Sequence, residues 1–143
     1  MILFEDDRVT LEQADFCAVP GYLVMRLKSG VESMGDLEPD AAGHVGLVLS
    51  RAVRALEEFA GAERVYLLTF AEIDRRLHFH LFPRTGEIKS RFLAETGGDS
   101  AAINGPLLFE WAREAYPAGR PPPGDGALAE QVLASVASRL ADG

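Results

Sequence analysis

The sequence predicts an α+β fold in which an antiparallel sheet packs against one long helix. Three observations support this class. Short apolar runs alternate with turn residues over the first thirty positions, a helical repeat begins at Pro39, and two stretches with a period of two follow Gly61. Runs of β-branched and aromatic residues bounded by Asp, Gly and Pro are typical of antiparallel strands. We therefore expect about five strands in one domain.

The composition limits the class of protein before any motif is considered. A chain of 143 residues with 48% apolar residues can bury one core, but a second domain would be cramped. A net charge of −8, with no run of Lys or Arg, argues against nucleic acid and anionic membranes as partners. The single cysteine, Cys17, excludes an intramolecular disulfide. The acidic start MILFEDDR does not resemble an export signal, so we expect a cytoplasmic protein.

The elements of the core can be placed in order. The first thirty residues contain the apolar runs ILF, VTL, FCAV and YLVM, which we expect to form an antiparallel meander. Residues 39–60 repeat apolar side chains every three or four positions, which predicts an amphipathic helix with Pro39 in its first turn and Gly61 at its end. Residues 64–70 and 75–84 then predict two strands joined by a short turn.

The rest of the chain is predicted to be a helical extension. It begins with a loop at 96–105 and a helix at 104–116 that Asn104 caps. A Pro-rich linker at 117–126 leads to a last amphipathic helix at 127–141, which has Leu128, Val132, Val136 and Leu140 on one face. We expect Trp111 to be a packing anchor. One domain, 1–143, would thus have a core of about residues 1–90 and an extension of about 91–143. Because the last helix is too short to fold alone, it must dock on the core.

The candidate chemistry lies on the strand predicted at 75–84, which contains two of the three histidines. Side chains at alternate strand positions project from one face, roughly 7 Å apart. Arg76, His78 and His80 should therefore line one surface, opposite the apolar residues Leu77, Phe79 and Leu81. A guanidinium and two imidazoles on one strand face favour the binding of an anion.

Residue spacing alone leaves three interpretations of this pair. The histidines can be polar residues of a solvated sheet face. They can be half of a metal site, which would need Cys17, His44 or a carboxylate to complete it. They can also support nucleophilic catalysis at phosphorus, in which one imidazole attacks while the other and Arg76 hold the phosphate oxygens. Otherwise we expect His44 to lie on the helix surface or in packing, and Cys17 to be a small buried hydrophobe.

Two segments resemble the histidine-triad (HIT) family. The run LHFHLFPR is similar to the end of the triad motif, in which three histidines alternate with apolar residues before a Pro-Arg pair. Counting back from Arg84 places His80 on the third histidine, His78 on the middle one and Arg76 on the first. Residues 20–37, PGYLVMRLKSGVESMGDL, are similar to the Pro-Gly-His segment that leads into the family's long helix.

The resemblance covers about residues 1–90 and implies a fold, a chemistry and an assembly. The fold is a five-stranded antiparallel sheet with the long helix packed on it, commonly in a homodimer. The chemistry is hydrolysis or transfer at the α-phosphate of a nucleotide conjugate, a nucleoside phosphoramidate or dinucleoside polyphosphate, through a nucleotidyl-histidine intermediate. It implies neither a cofactor nor a metal.

The resemblance also implies roles for individual residues. His78 takes the position of the nucleophile, and His80 that of the neighbouring histidine, which contacts the nucleophile and the phosphate. We expect Arg76 to stabilise the charge that develops on phosphorus and Arg84 to bind substrate as well. Asp15 is the candidate for holding the ribose, with Gln13 as the other acidic or amide residue nearby.

The sequence departs from the family pattern at several positions. Arg76 stands for the first histidine, Tyr22 for the histidine of Pro-Gly-His, and Gly30 where a further histidine often follows. The loop ahead of the triad is shortened to FAEIDRR, where Glu72 and Asp74 place negative charge near the expected phosphate. These departures leave a catalytically impaired nucleotide-binding module as the alternative to an enzyme, with a metal-binding H-x-H site as a third hypothesis.

The alignment itself has an alternative. Shifting it by two residues makes His78 the first histidine of the triad and His80 the nucleophile. This shift loses the match of Pro83 and Arg84 to the Pro-Arg pair. We therefore take His78 as the predicted nucleophile.

Overall fold

The apolar runs on either side of the long helix form the strands of an antiparallel sheet. This computed structural model describes residues 1–120 and 126–142, without the side chains of residues 126–128. Across the described residues the sheet has five strands: β1 (Ile2–Glu5), β2 (Val9–Gln13), β3 (Leu23–Leu27), β4 (Ala62–Leu68) and β5 (His78–Thr85). Their spatial order is β1-β2-β3-β5-β4, and each neighbouring pair is antiparallel. The predicted pairing of the first strands in a meander is confirmed.

Four helices accompany the sheet within the described ranges: α1 (Pro39–Phe59), α2 (Gly86–Thr96), α3 (Gly105–Ala115) and α4 (Gly126–Ala141). The predicted cap of α3 is present, because the side chain of Asn104 accepts a hydrogen bond of 3.1 Å from the backbone N–H of Leu107. None of the described helices is long and apolar enough to span a membrane. The α+β class with one long helix is confirmed.

The helices cover both faces of the sheet and bury two separate cores. On one face α1 packs against strand residues such as Met25 and Leu81. On the other face α2 and α3 surround Tyr22 and Phe82. The sheet is therefore the middle layer of three, and side chains that alternate along β3 and β5 enter different cores.

The last helix docks on the first of these cores, as its length required. Leu133, Val136 and Leu140 of α4 are buried there, against α1 and β1. The predicted contact of Leu128 and the central residues of the predicted linker, 121–125, lie outside the described residues.

The prediction of a strand at FCAV is wrong. Residues 16–19 lie in the loop between β2 and β3, where Cys17 makes only an isolated bridge with Pro117. The side-chain amide of Gln13 donates to the carbonyl of Val19 at 2.9 Å and accepts from the N–H of Gly21 at 2.9 Å. These bonds fold the loop back on β2, so its backbone does not extend along the sheet. The burial predicted for Cys17 is confirmed, with 2% of the residue exposed.

Helix α2 was not predicted. It begins where the Thr85 side chain accepts from the N–H of Ile88 at 3.2 Å, and it ends at Gly97, which has a φ of 69°. Only Ile88 and Phe92 of the helix are buried, so its apolar repeat is too short for a sequence pattern to reveal.

Candidate active site

Strand β5 presents His78 and His80 on the face that α2 and α3 cover. Their ring centroids are 5.2 Å apart, and both residues are half-buried. Phe79 and Leu81 enter the opposite core, as the predicted alternation required. The prediction that the two imidazoles share one surface is therefore confirmed.

His78 is oriented by the backbone just ahead of its strand. Its Nδ1 lies 2.7 Å from the carbonyl oxygen of Arg76. A carbonyl oxygen only accepts hydrogen bonds, so Nδ1 carries the proton and Nε2 of the neutral ring holds the free lone pair. This is the tautomer that a nucleophilic imidazole needs.

His80 is oriented by a tyrosine from the loop before β3. The hydroxyl of Tyr22 lies 2.9 Å from Nδ1 of His80, and Tyr22 is fully buried. Burial raises the pKa of Tyr22 well above its usual value, so the hydroxyl keeps its proton. Because the hydroxyl bonds to no other acceptor in the described part of the chain, it donates to Nδ1 and leaves the proton of His80 on Nε2.

The charge state of His80 follows from its surroundings. Burial, as the largest cause, and the nearby charges of His78, Arg113 and Arg26 together lower the pKa of His80 to about 4. The ring is therefore neutral near pH 7 and offers an N–H rather than a positive charge. Any cation at this site must come from another residue.

Arg76 lies just ahead of the strand that holds the histidines, and its guanidinium is bound to a carboxylate. Strand β5 begins at His78, so Arg76 lies outside the strand, and 69% of its side chain is exposed. Its guanidinium binds both carboxylate oxygens of Asp74, at 2.9 and 2.8 Å. This bonding lowers the pKa of Asp74 to about 2, with the Arg76 hydrogen bond as the largest cause. Arg76 therefore offsets the negative charge of Asp74, and its own charge is offset in turn.

The other predicted substrate-binding residues are dispersed. Arg84 lies four positions beyond His80 on β5, about 13 Å away along a strand, and its guanidinium is 3.3 Å from the carboxylate of Glu63. Asp15 is an exposed residue of the loop before β3. Gln13 uses its amide to hold that same loop. The substrate-binding roles of Arg76, Arg84 and Asp15 stay predictions.

Two residues that the sequence analysis did not select border the site. The ring of Phe16 lies 6.0 Å from that of His80. The guanidinium carbon of Arg113, on α3, lies 5.2 Å from the centroid of the Phe16 ring. Beside them is an open groove of about 570 Å³, lined by apolar residues that include Leu68 and Phe70. No local pattern marks Arg113, because its proximity to the histidines arises only when α3 docks on the sheet.

A metal does not fit the histidine pair. In the described ranges, 1–120 and 126–142, no three His, Cys, Asp or Glu residues cluster in an arrangement that could hold an ion. His44, a predicted third ligand, binds Asp6 at 2.7 Å in the layer of α1, across the sheet from His80. Cys17 is buried, and this burial raises the pKa of its thiol.

The chain was compared with known proteins. No family model and no curated protein matches the sequence. A hypothetical histidine triad nucleotide-binding protein from Sulfolobus tokodaii is similar in structure, with a TM-score of 0.63, 13% identity, and coverage of 99% of this chain and 83% of that one. A histidine triad protein from Bradyrhizobium japonicum has a TM-score of 0.65 and 13% identity, over 98% and 90% of the two chains.

A zinc-bound histidine triad family protein from Mycobacterium smegmatis is also similar, with a TM-score of 0.57 and 16% identity, over 99% of this chain and 86% of that one. Identities this low show a shared fold and leave the activity open. The match extends over the C-terminal helices as well as the segments that carry the sequence resemblance. The chain therefore has the fold of the histidine-triad proteins.

Proposed function

We propose that the chain binds a nucleotide conjugate on the face of His78 and His80 and transfers its nucleotidyl group through His78. The observation that carries this proposal is the 2.7 Å contact between Nδ1 of His78 and the carbonyl of Arg76, which leaves Nε2 free to attack. The half-buried position and the histidine-triad fold support it. The substrate class, a nucleoside phosphoramidate or dinucleoside polyphosphate, comes from the sequence resemblance.

The hydrogen bonds favour His78 over His80 as the nucleophile. Tyr22 donates to Nδ1 of His80, so Nε2 of His80 carries the proton and has no lone pair for attack. As an N–H donor, His80 is suited to bonding a phosphate oxygen beside His78. The shifted alignment, with His80 as nucleophile, would require Tyr22 to give up this bond.

The reaction proceeds in two displacements at phosphorus. With a phosphoramidate, Nε2 of His78 attacks the α-phosphorus, the bond from phosphorus to the leaving nitrogen breaks, and the amine departs with a proton from water. Water then attacks the nucleotidyl-histidine, the bond from phosphorus to Nε2 breaks, and the nucleoside monophosphate leaves. The neutral imidazole is regenerated, so no cofactor is consumed.

Release of AMP from an adenosine phosphoramidate tests this function. We expect the wild-type protein to release AMP, the His78→Ala variant to release none, and an acid-quenched reaction with an activated nucleotide to show a nucleotidyl adduct at His78 by intact-mass and peptide mass spectrometry. His44→Ala is the matched control, because His44 lies in the other layer, bound to Asp6. Activity that survives in His78→Ala, or an adduct at His80, would contradict the assignment.

A nucleotide-binding module without turnover is the second candidate. Two observations favour it: the guanidinium of Arg76 is already bound to the carboxylate of Asp74, and α3 covers the face that holds His80. Calorimetry with AMP together with the phosphoramidate assay separates the two candidates, since a module binds AMP but releases none from the phosphoramidate. Stoichiometric zinc in the purified protein would instead favour the metal hypothesis, which the described residues do not support.

The assembly and location stay predictions. The resemblance predicts a homodimer, and the composition predicts a cytoplasmic protein that binds neither nucleic acid nor membrane. Sedimentation equilibrium across a concentration series measures the assembly directly. A monomer at all concentrations would exclude the homodimer without affecting the assignment of His78.

A further inference from the structure

We infer that Arg113 of α3, rather than Arg76, is the cation that holds the phosphate at the His78–His80 site. The inference rests on the proposed function and adds an anion-binding residue to it. It concerns a residue outside the segments that resemble the histidine-triad family.

Arg113 lies beside the aromatic rings that surround His80 and Tyr22. The guanidinium carbon of Arg113 lies 5.2 Å from the ring centroid of Phe16 and 5.6 Å from that of Phe109. The Phe16 ring is 6.0 Å from the ring of His80, and the Phe109 ring is 6.0 Å from that of Tyr22. The guanidinium thus lies on the two rings that border the His80–Tyr22 pair.

The positive charge of Arg113 is available to a ligand. In the part of the chain that the structure describes, Arg113 forms no ion pair, and its side chain is exposed beside the open groove. Arg76 binds Asp74, and Arg26, the register partner of His78 on β3, binds the carboxylate of Glu12 at 2.8 Å. The carboxylates already offset the charge of those two cations, whereas the Arg113 guanidinium lies against aromatic rings and has no carboxylate partner among the described residues.

The electrostatic field around Arg113 is predominantly negative. The chain has a net charge of −8, and Glu110 and Glu114 line the same groove as Arg113. These carboxylates repel a phosphate, so its binding at this site requires a cation that no carboxylate already pairs. Because His80 is neutral, the guanidinium supplies the positive charge that a phosphoryl group gains most from in the transition state.

Arg113→Gln tests the inference, because glutamine keeps length and polarity and removes the charge. We expect this variant to lose about tenfold to a hundredfold in AMP affinity by calorimetry and in kcat/KM for the phosphoramidate, the range for one charge-assisted contact. Arg113→Lys should recover part of the loss. Arg91→Gln is the matched control: its guanidinium also lies over an aromatic ring, that of Tyr116 at 5.3 Å, but it binds Glu95. We expect this control to match the wild type.

Arg76→Gln measures the competing candidate in the same assays. If Arg76→Gln loses AMP affinity and kcat/KM by the factor that we expect for Arg113→Gln, and Arg113→Gln itself matches the wild type, the inference is wrong. The proposed function would still stand. If the wild type binds AMP without turnover, loss of binding in Arg113→Gln still supports the inference. If the wild type neither binds AMP nor releases it, the proposed function fails, and this inference fails with it.

Discussion

The Tyr22 hydroxyl and the His80 imidazole form a hydrogen bond of 2.9 Å between residues 58 positions apart in the chain. Tyr22 follows Gly21, which has a φ of 81°, and a Cβ built on Gly21 would come within 2.9 Å of the Leu56 side chain on α1. The turn before β3 therefore requires a glycine at this position. That close approach fixes the start of β3 and, with it, the tyrosine that orients His80.

Removing the tyrosine hydroxyl should change both stability and the tautomer of His80. In Tyr22→Phe the partly buried Nδ1 loses its donor, so we expect the free energy of unfolding to fall by about 1–3 kcal/mol. Urea denaturation measures this loss, and 15N shifts of the ring show whether the proton leaves Nε2. Tyr66→Phe is the control, because the Tyr66 hydroxyl makes no hydrogen bond to another described residue. A Tyr22→Phe protein with unchanged stability and 15N shifts would show that this bond does not set the tautomer.

The lowered pKa of His80 predicts a pH dependence of stability. The pKa is about 4 in the folded chain, against an unperturbed value of 6.5, so the unfolded state binds more protons between these two values. The neutral ring therefore contributes fully above about pH 6.5, and its contribution is lost as the pH falls to about 4. We expect the urea midpoint to fall across this window, and to fall less in His80→Gln.

The comparison with His80→Gln separates His80 from the carboxylates. Asp6, Asp74 and Glu63 have lowered pKa values, so their contributions to stability are lost mainly below about pH 5 and are common to both proteins. Equal slopes for the wild type and His80→Gln between pH 6.5 and 4 would mean that His80 titrates normally.

Helix α3 should depend on one buried leucine to hold its place over the histidines. Leu108 has no exposed surface and lies in the core with Tyr22 and Phe82. We expect Leu108→Ala to lower the free energy of unfolding by about 2–5 kcal/mol. The adjacent Leu107 is 54% exposed, so Leu107→Ala should change the free energy of unfolding by no more than about 0.5 kcal/mol. Equal effects of the two substitutions in urea denaturation would contradict the docking of α3.

Gln13 should act on the loop before β3 and not on the ribose. In Gln13→Ala the N–H of Gly21 loses its partner, and the carbonyl of Val19 keeps only its bond from the backbone N–H of Tyr22. We expect faster hydrogen exchange at the Gly21 amide and a loss of about 1–3 kcal/mol in the free energy of unfolding. Unchanged exchange together with weaker AMP binding would instead support the predicted ribose contact.

Local patterns were sufficient for most of the elements. The repeat over residues 39–60 predicted α1 to within one residue at its C-terminal end, and Asn104 predicted the start of α3. The alternation of His78 with apolar neighbours predicted which side chains enter each face of β5. These predictions succeed because period and capping depend on residues that are neighbours in the chain.

The same patterns were insufficient where a side chain binds a partner that the repeat does not include. Arg76 had the correct spacing for the histidine face, but it lies outside the strand and its guanidinium binds Asp74. The FCAV run had strand composition, but Gln13 folds its loop away from the sheet.

The sequence by itself thus determined the strands of the core, the long helix and the shared face of the two histidines, because each follows from a short-range repeat. Only the tertiary structure decided that Tyr22 orients His80 and that α3 brings Arg113 to their layer. Both relationships depend on the burial of side chains from remote segments against one another. Packing of this kind joins residues without regard to their separation in the sequence.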